Sequence, residues 1–159
     1  MTQDQIYLIF ISCIAALIFG GVAYLFFRQK YPYFAKDTLL TKSELHFYES
    51  LKQVTPSNVG IAFKVRLADL ISCDDKNWGR GYGRHISAKH IDFTLYDIHT
   101  TQILACIELD DRSHDRPDRK RRDKFINNAF LATELALIRV HTQKHYNLAA
   151  LKKDLFTVL

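Results

Sequence analysis

The residues of this chain best suited to chemistry are acidic and fall on two strand-like runs. His90-Ile-Asp-Phe-Thr-Leu-Tyr96 and Gln102-Ile-Leu-Ala-Cys-Ile-Glu-Leu-Asp110 flank the turn-like Asp97-Ile-His-Thr-Thr101, the pattern of a hairpin. Side chains alternate across a strand, so Ile91, Phe93 and Leu95 are expected on one face and Asp92, Thr94 and Tyr96 on the other. Glu108 and Asp110 share a face by the same rule. A hairpin folded near residue 100 pairs residues whose numbers sum to about 200, which sets Asp92 opposite Glu108. Two carboxylates side by side in a partly buried sheet repel unless a cation bridges them or one is protonated, and hard oxygen donors suit Mg²⁺ or Mn²⁺. The alternative is an open sheet face on which Asp92 and Glu108 meet water at little cost.

The stretch after the second run adds to the metal reading. Asp110-Asp-Arg-Ser-His114 puts an imidazole just past the strand, and the basic residues Arg112, Arg116, Arg119, Lys120, Arg121, Arg122 and Lys124 follow. Alone, a basic run is a solvated helix face. Beside a carboxylate cluster it would neutralise phosphates while a metal activates water and stabilises the leaving oxygen, the division of labour of a phosphodiesterase site. Gly79-Arg-Gly-Tyr-Gly83 follows no convincing strand and precedes no expected helix, so it fails the context of a dinucleotide or phosphate loop. With Trp78 and Tyr82 it reads either as a stacking loop over a base or as a plain surface loop. His85, His90, His99, His141 and His145 lack zinc-ligand spacing.

The elements that must position these residues can be read in order. Thr41 and Glu44 stand at capping-box spacing and open a helix that Leu45, Tyr48, Leu51 and Val54 carry to about residue 54. Pro56-Ser-Asn58 ends it, and Ile61 to Leu67 alternates as a strand. Residues 72–88 are polar and glycine-rich and read as a long loop. Pro117 opens a helix with Phe125, Ala129, Phe130 and Ala132 on its apolar face, Ala136 to Val140 is a strand, and Asn147 caps a last helix. The order α, β, β, β, α, β, α predicts an α/β fold, a mixed sheet flanked by helices.

The N-terminus is a different object. Ile6 to Phe27 holds 22 residues without a charge, roughly 33 Å of helix and enough to span the hydrocarbon of a bilayer. The rivals are a buried soluble helix, which seldom stays apolar around six turns, and a cleaved signal peptide, which wants a basic start and a small-residue cleavage site. Asp4 is the only charge before Arg28, so residues 28–159 hold 22 basic against 16 acidic residues. Arg28, Lys30 and Lys36 follow the span and no basic residue precedes it, which predicts a single-pass protein with its N-terminus outside and its C-terminal domain cytoplasmic, at a bacterial inner membrane. The expected organisation is an anchor over 1–30, a juxtamembrane linker over 31–40 and an α/β domain over 41–159. A chain of 159 residues, 48% hydrophobic and 25% charged, excludes a disordered tail or a collagen-like repeat. Cys13, Cys73 and Cys106 show no pairing or CxxC spacing, so reduced thiols are expected.

Glu44 on the first helix, Asp92 in HIDF, Glu108 and Asp110 in CIELDDRSH, and Arg122-Asp123 together resemble the domain-of-unknown-function 2726 family, within the restriction-endonuclease-like PD-(D/E)xK superfamily, over about residues 37–145. The chain also looks like a relative of the very-short-patch-repair endonucleases. The resemblance implies an αβββαβ core, a divalent metal held by Asp92 and Glu108, Glu44 reaching the site, and His114 handling a proton or orienting water. It also marks a departure. Asp110 stands where the superfamily's ExK motif has Lys, leaving Lys89, Lys120 and Lys124 as spatial substitutes and His114 as a chemical one. The expected function is a membrane-anchored, Mg²⁺- or Mn²⁺-dependent nuclease acting on nucleic acid, DNA first. Its rivals are a catalytically silent nucleic-acid-binding module and an interaction domain whose basic patch meets a membrane partner or anionic lipids.

Overall fold

A computed structural model describes residues 2–28, 31–110 and 117–157, with the side chains of residues 117–119 and 156 left out. The chain divides into two units, Met1–Lys36 and Asp37–Leu159, each taken here by itself. The first is helix α1, Gln3–Phe27, whose 25 residues have a mean hydropathy of 2.5 over the most apolar window. It has no polar face, and its Ser12 hydroxyl donates to the Leu8 carbonyl at 2.6 Å, so the one aliphatic hydroxyl of the helix needs no water. This helix is long and apolar enough to cross a membrane.

The second unit is a mixed α/β domain. Helix α2 spans Lys42–Val54, β1 Val59–Arg66, α3 Leu67–Leu70, α4 Asp75–Gly79, α5 Tyr82–Ser87, β2 His90–Asp97, β3 Ile103–Asp110, α6 Pro117–Leu131, β4 Ala136–His141 and α7 Leu148–Phe156. The four strands form one sheet in the order β1-β2-β3-β4, antiparallel across the first two junctions and parallel across the last. Short-range chemistry sets many of the boundaries. Thr41 Oγ1 accepts the Glu44 N–H at 3.4 Å while Glu44 Oε2 accepts the Thr41 N–H at 2.9 Å, closing the capping box. Asn147 Oδ1 accepts the N–H groups of Ala149 and Ala150 and starts α7. At the hairpin, Asp97 Oδ1 accepts the N–H groups of His99 and Thr100, an Asx turn that folds β2 onto β3.

Two apolar clusters cover the two faces of the sheet. Phe47, Leu51 and Val54 of α2 and Leu151 and Leu155 of α7 pack with Phe93, Leu95, Ala105 and Ile107. Leu67, Ile86, Ile126 and Phe130 pack with Ile91 and Cys106. Ile91 therefore joins the opposite cluster from Phe93 and Leu95, correcting the expectation that all three share one face. The break faces Lys64 of β1, which stands across from Asp92 in the register and has φ +52°, a left-handed conformation that interrupts the pleat. Cys106 is fully buried, and burial pushes its thiol up to about 12, which keeps it protonated.

Residues 72–88 are not the loop expected from their polarity. Asp74 caps α4 by accepting the Asn77 N–H at 2.7 Å, and buried Ile86 anchors α5 in the second cluster. Two helices of five and six residues carry too little periodicity to read from a sequence. The core generates a direct expectation at Phe47, which is fully buried and meets Phe93 and Tyr146 edge-on at ring separations of 5.2 and 5.1 Å. Phe47→Ala should cost about 3–5 kcal/mol, a large share of a domain's stability, and Phe47→Leu much less. Urea unfolding of the detergent-solubilised chain, followed by circular dichroism, measures the difference. Equal midpoints for Phe47→Ala and the parent chain would mean that this ring is not central to the core.

Candidate active site

The acidic residues converge where neighbouring strands end. Asp92 lies near the start of β2 and Glu108 and Asp110 at the end of β3. The pairs Phe93–Ile107, Thr94–Cys106 and Leu95–Ala105 fix a register whose extension sets Asp92 opposite Glu108. Asp92 Oδ2 accepts the Leu109 N–H at 3.0 Å, so its carboxylate reaches across to β3 instead of facing open water. On the other side, Lys64 Nζ donates to Asp92 Oδ1 at 2.8 Å and to Glu44 Oε1. One ammonium thus joins the capping glutamate of α2 to the strand aspartate of β2. Burial disfavours the charges of both Lys64 and Glu44, yet their hydrogen-bond partners outweigh it: Asp92 and Glu44 hold the Lys64 pKa above its ordinary value, and Lys64 and the Thr41 N–H hold the Glu44 pKa below.

Glu108 is the least compensated member. Its side chain is only 4% exposed, and among the described residues Oε1 has no hydrogen-bond partner, since the Arg122 guanidinium stays 3.7 Å away. Burial first, and the Asp92 charge second, push its carboxyl up to about 7 against the pull of Arg122 and Arg139. Asp110 is by contrast fully engaged. Arg139 Nη1 of β4 donates to its two oxygens at 2.8 and 3.0 Å, while Arg139 Nε donates to Asn127 Oδ1 of α6. Asp123 approaches the same guanidinium at 3.5 Å, holding an arginine.

Of the residues expected in the site, Glu44, Asp92, Glu108 and Asp110 come together. His114, Arg112 and Arg116 lie outside the described residues, as does the Arg119 side chain. Arg122 turns inward, donating to the His90 carbonyl at 3.4 Å as well as facing Glu108. Lys120, Arg121 and Lys124 are exposed on α6. The Lys89 ammonium lies over the Phe125 ring at 4.4 Å and donates to the His85 carbonyl. Lys64 and Arg139 were not anticipated. Lys64 could have been found by pairing the first strand with the second, since a lysine among apolar neighbours then falls across from Asp92. No comparable local signal marks Arg139.

Among the described residues no group of three or more His, Cys, Asp or Glu forms a cage for a metal. The donor set nonetheless fits a hard divalent ion of the Mg²⁺ kind, which retains several waters and takes only one or two carboxylates. Glu108 Oε1 is buried and accepts no hydrogen bond among the described residues, and a cation there would offset the burial and the Asp92 repulsion that raise this carboxyl.

A pH effect on stability follows from Glu108. Folded, it takes up its proton near 7; an unfolded glutamate does so near 4.5. Between those values the native state holds the extra proton, so this residue's contribution to stability falls as pH rises through the window and stays low above it. Glu108→Gln removes the penalty and should stabilise the chain by about 3 kcal/mol near pH 8 while changing little near pH 4. Thermal melts of both chains at the two pH values test it, and a substitution effect independent of pH would contradict the burial of a titrating carboxyl.

The comparisons with known proteins bear on the second unit. No curated protein and no solved structure matches the chain. A family model does match, over residues 36–159, which takes in every element from α2 to α7 and leaves out α1. By that match the chain belongs to the family described as protein of unknown function, DUF2726.

Proposed function

We propose that this domain is a membrane-anchored nuclease that hydrolyses phosphodiesters in nucleic acid, DNA first, with Mg²⁺ or Mn²⁺. The observation that carries the reading is the buried Glu108 oxygen beside Asp92, which accepts no hydrogen bond among the described residues, at adjoining strand ends with Lys64 on one side and a basic helix on the other. The strand order, antiparallel hairpin followed by a parallel crossover, agrees with the restriction-endonuclease-like PD-(D/E)xK core and with kinship to very-short-patch-repair endonucleases. Asp92 and Glu108 would hold the ion, which when bound supplies Lewis acidity to the phosphoryl group and acidity to a water. The chain's own residues do the rest. Lys64, about one-third exposed, sets a positive charge at the acidic cluster from β1, a role that the ExK lysine would otherwise fill from β3 and that Asp110, locked to Arg139, does not. Arg121 and Lys124 on α6 neutralise phosphates of the bound strand, and Arg122 balances Glu108. The reaction joins a water oxygen to phosphorus, breaks the bond to the leaving oxygen and returns a proton to it, with His114 as the candidate carrier.

The basic residues that follow α1 argue for a cytoplasmic domain and an external N-terminus in a bacterial inner membrane. One observation favours a second reading, a silent nucleic-acid-binding module: both Asp92 oxygens already have donors, in Lys64 and the Leu109 N–H.

Supercoiled plasmid incubated with the detergent-solubilised full chain separates the two. With Mg²⁺ or Mn²⁺ it should be nicked or linearised, and Asp92→Ala, Glu108→Ala and Lys64→Ala should each lower the rate at least about a hundredfold, by the magnitudes usual for removed electrostatic groups. Plasmid that stays intact while it is bound assigns the silent module. Charge reversal at Lys120, Arg121 and Lys124 should weaken binding; unchanged affinity would move the basic surface to a membrane partner.

A further inference from the structure

We infer that the α4–α5 helical hairpin is a stacking platform for an unpaired nucleobase, so that the substrate presented to the acidic cluster carries single-stranded character. This deepens the nuclease reading and rests on it.

The hairpin shows two aromatic residues to solvent. Trp78 at the end of α4 is 43% exposed and Tyr82 at the start of α5 is 58% exposed, in a domain whose other aromatic side chains largely build the core. Their presentation is built in. Gly81 turns the chain at φ +99°, and Gly83 lies so close beneath Trp78 that a Cβ there would fall 2.3 Å from the indole. The indole therefore rests on the α5 backbone in a fixed place, and Ile86 fastens α5 into the second core cluster. A rigid aromatic surface loses little conformational entropy when something stacks on it.

Charge says what that something is. Arg80 and Arg84 are exposed on the same hairpin, whose acidic residues, Asp74 and Asp75, sit at the far start of α4 with Asp74 spent as its cap. The basic surface then runs on towards the acidic cluster. His85 of α5 lies against Phe125 of α6 at 5.8 Å, Lys89 covers the same ring, and Arg122, one turn earlier on α6, approaches Glu108. Aromatic rings interleaved with cations that lead to a hydrolytic site suit a phosphate polymer whose bases have free faces. Duplex bases are already stacked on one another and offer their faces only when unpaired.

Trp78 is the sole tryptophan of the chain, so its fluorescence reports directly on the platform. The full chain in zwitterionic detergent, with a chelator so that no cleavage occurs, is titrated with a labelled oligothymidylate or oligouridylate of about 20 nucleotides, and separately with a duplex of equal length. Either single strand should quench Trp78, and the duplex should bind without quenching it. By anisotropy of the label, Trp78→Ala and Tyr82→Ala should each weaken single-strand binding about tenfold and leave duplex binding within about twofold. Tyr82→Ala guards against loss of the hairpin in Trp78→Ala, and Trp78→Phe should retain most of the affinity. Single strands that bind with unaltered fluorescence overturn the platform, as do variants that weaken single strand and duplex equally. So does a blue shift of Trp78 on anionic vesicles with no response to oligonucleotides, which assigns the surface to lipid headgroups. Plasmid cleavage that persists alongside any of these results leaves the nuclease reading standing while this inference falls.

Discussion

Four carboxylates crowd the ends of two adjacent strands, and a covered sheet tolerates them only because cations reach them from the surrounding elements. Glu44 comes from α2, Asp92 from β2, and Glu108 and Asp110 from β3; Lys64 comes from β1, Arg122 from α6 and Arg139 from β4. Each pair joins two different elements, and two of them, Lys64–Asp92 and Arg139–Asp110, join strands that are not consecutive elements of the chain. Stripping the cation from such a part-buried pair is costly, because the carboxylate left behind stays desolvated. The order of the strands and the docking of α2 and α6 therefore depend on the same contacts that assemble the site. Glu108 is the least compensated, with an oxygen that accepts no hydrogen bond among the described residues. The least compensated acid of the cluster is where charge from outside the chain would act most strongly.

What was legible in the sequence follows the range of the interaction concerned. The capping box of Thr41 and Glu44, the Asn147 cap and the hairpin register all depend on residues within about twenty positions of one another, and each can be read from local chemistry. The mixed α/β layering follows from the alternation of patterns. Lys64 and Arg139 escaped because their partners lie 28 and 29 residues away across strand junctions whose order is not encoded locally. The segment from 72 to 88 escaped for the opposite reason: its two helices are so short that caps and a single buried isoleucine hold them, with no amphipathic stripe to reveal them.

Helix α1 obeys a separate set of rules. It is apolar all round and keeps its polar backbone satisfied internally, as hydrocarbon would require. A span that fixed the domain to a membrane would restrict its encounters to molecules that come near that surface and raise the effective concentration of any partner held there. For a basic domain this also adds competition between phosphate polymers and anionic headgroups, both of them salt-sensitive attractions. A surface that also recognises base faces would discriminate where charge alone cannot.

The left-handed backbone at Lys64 ties these layers together. A non-glycine residue in that region costs on the order of 1–3 kcal/mol and persists only where its surroundings impose it. Here two carboxylates grip the ammonium from opposite sides, one on a helix and one on a strand. Across from this residue the alternation of the neighbouring strand breaks, and Ile91 enters one core cluster while Phe93 and Leu95 enter the other. The strain is thus offset by two ion pairs, and the position of the ammonium is as much a property of the fold as of the site.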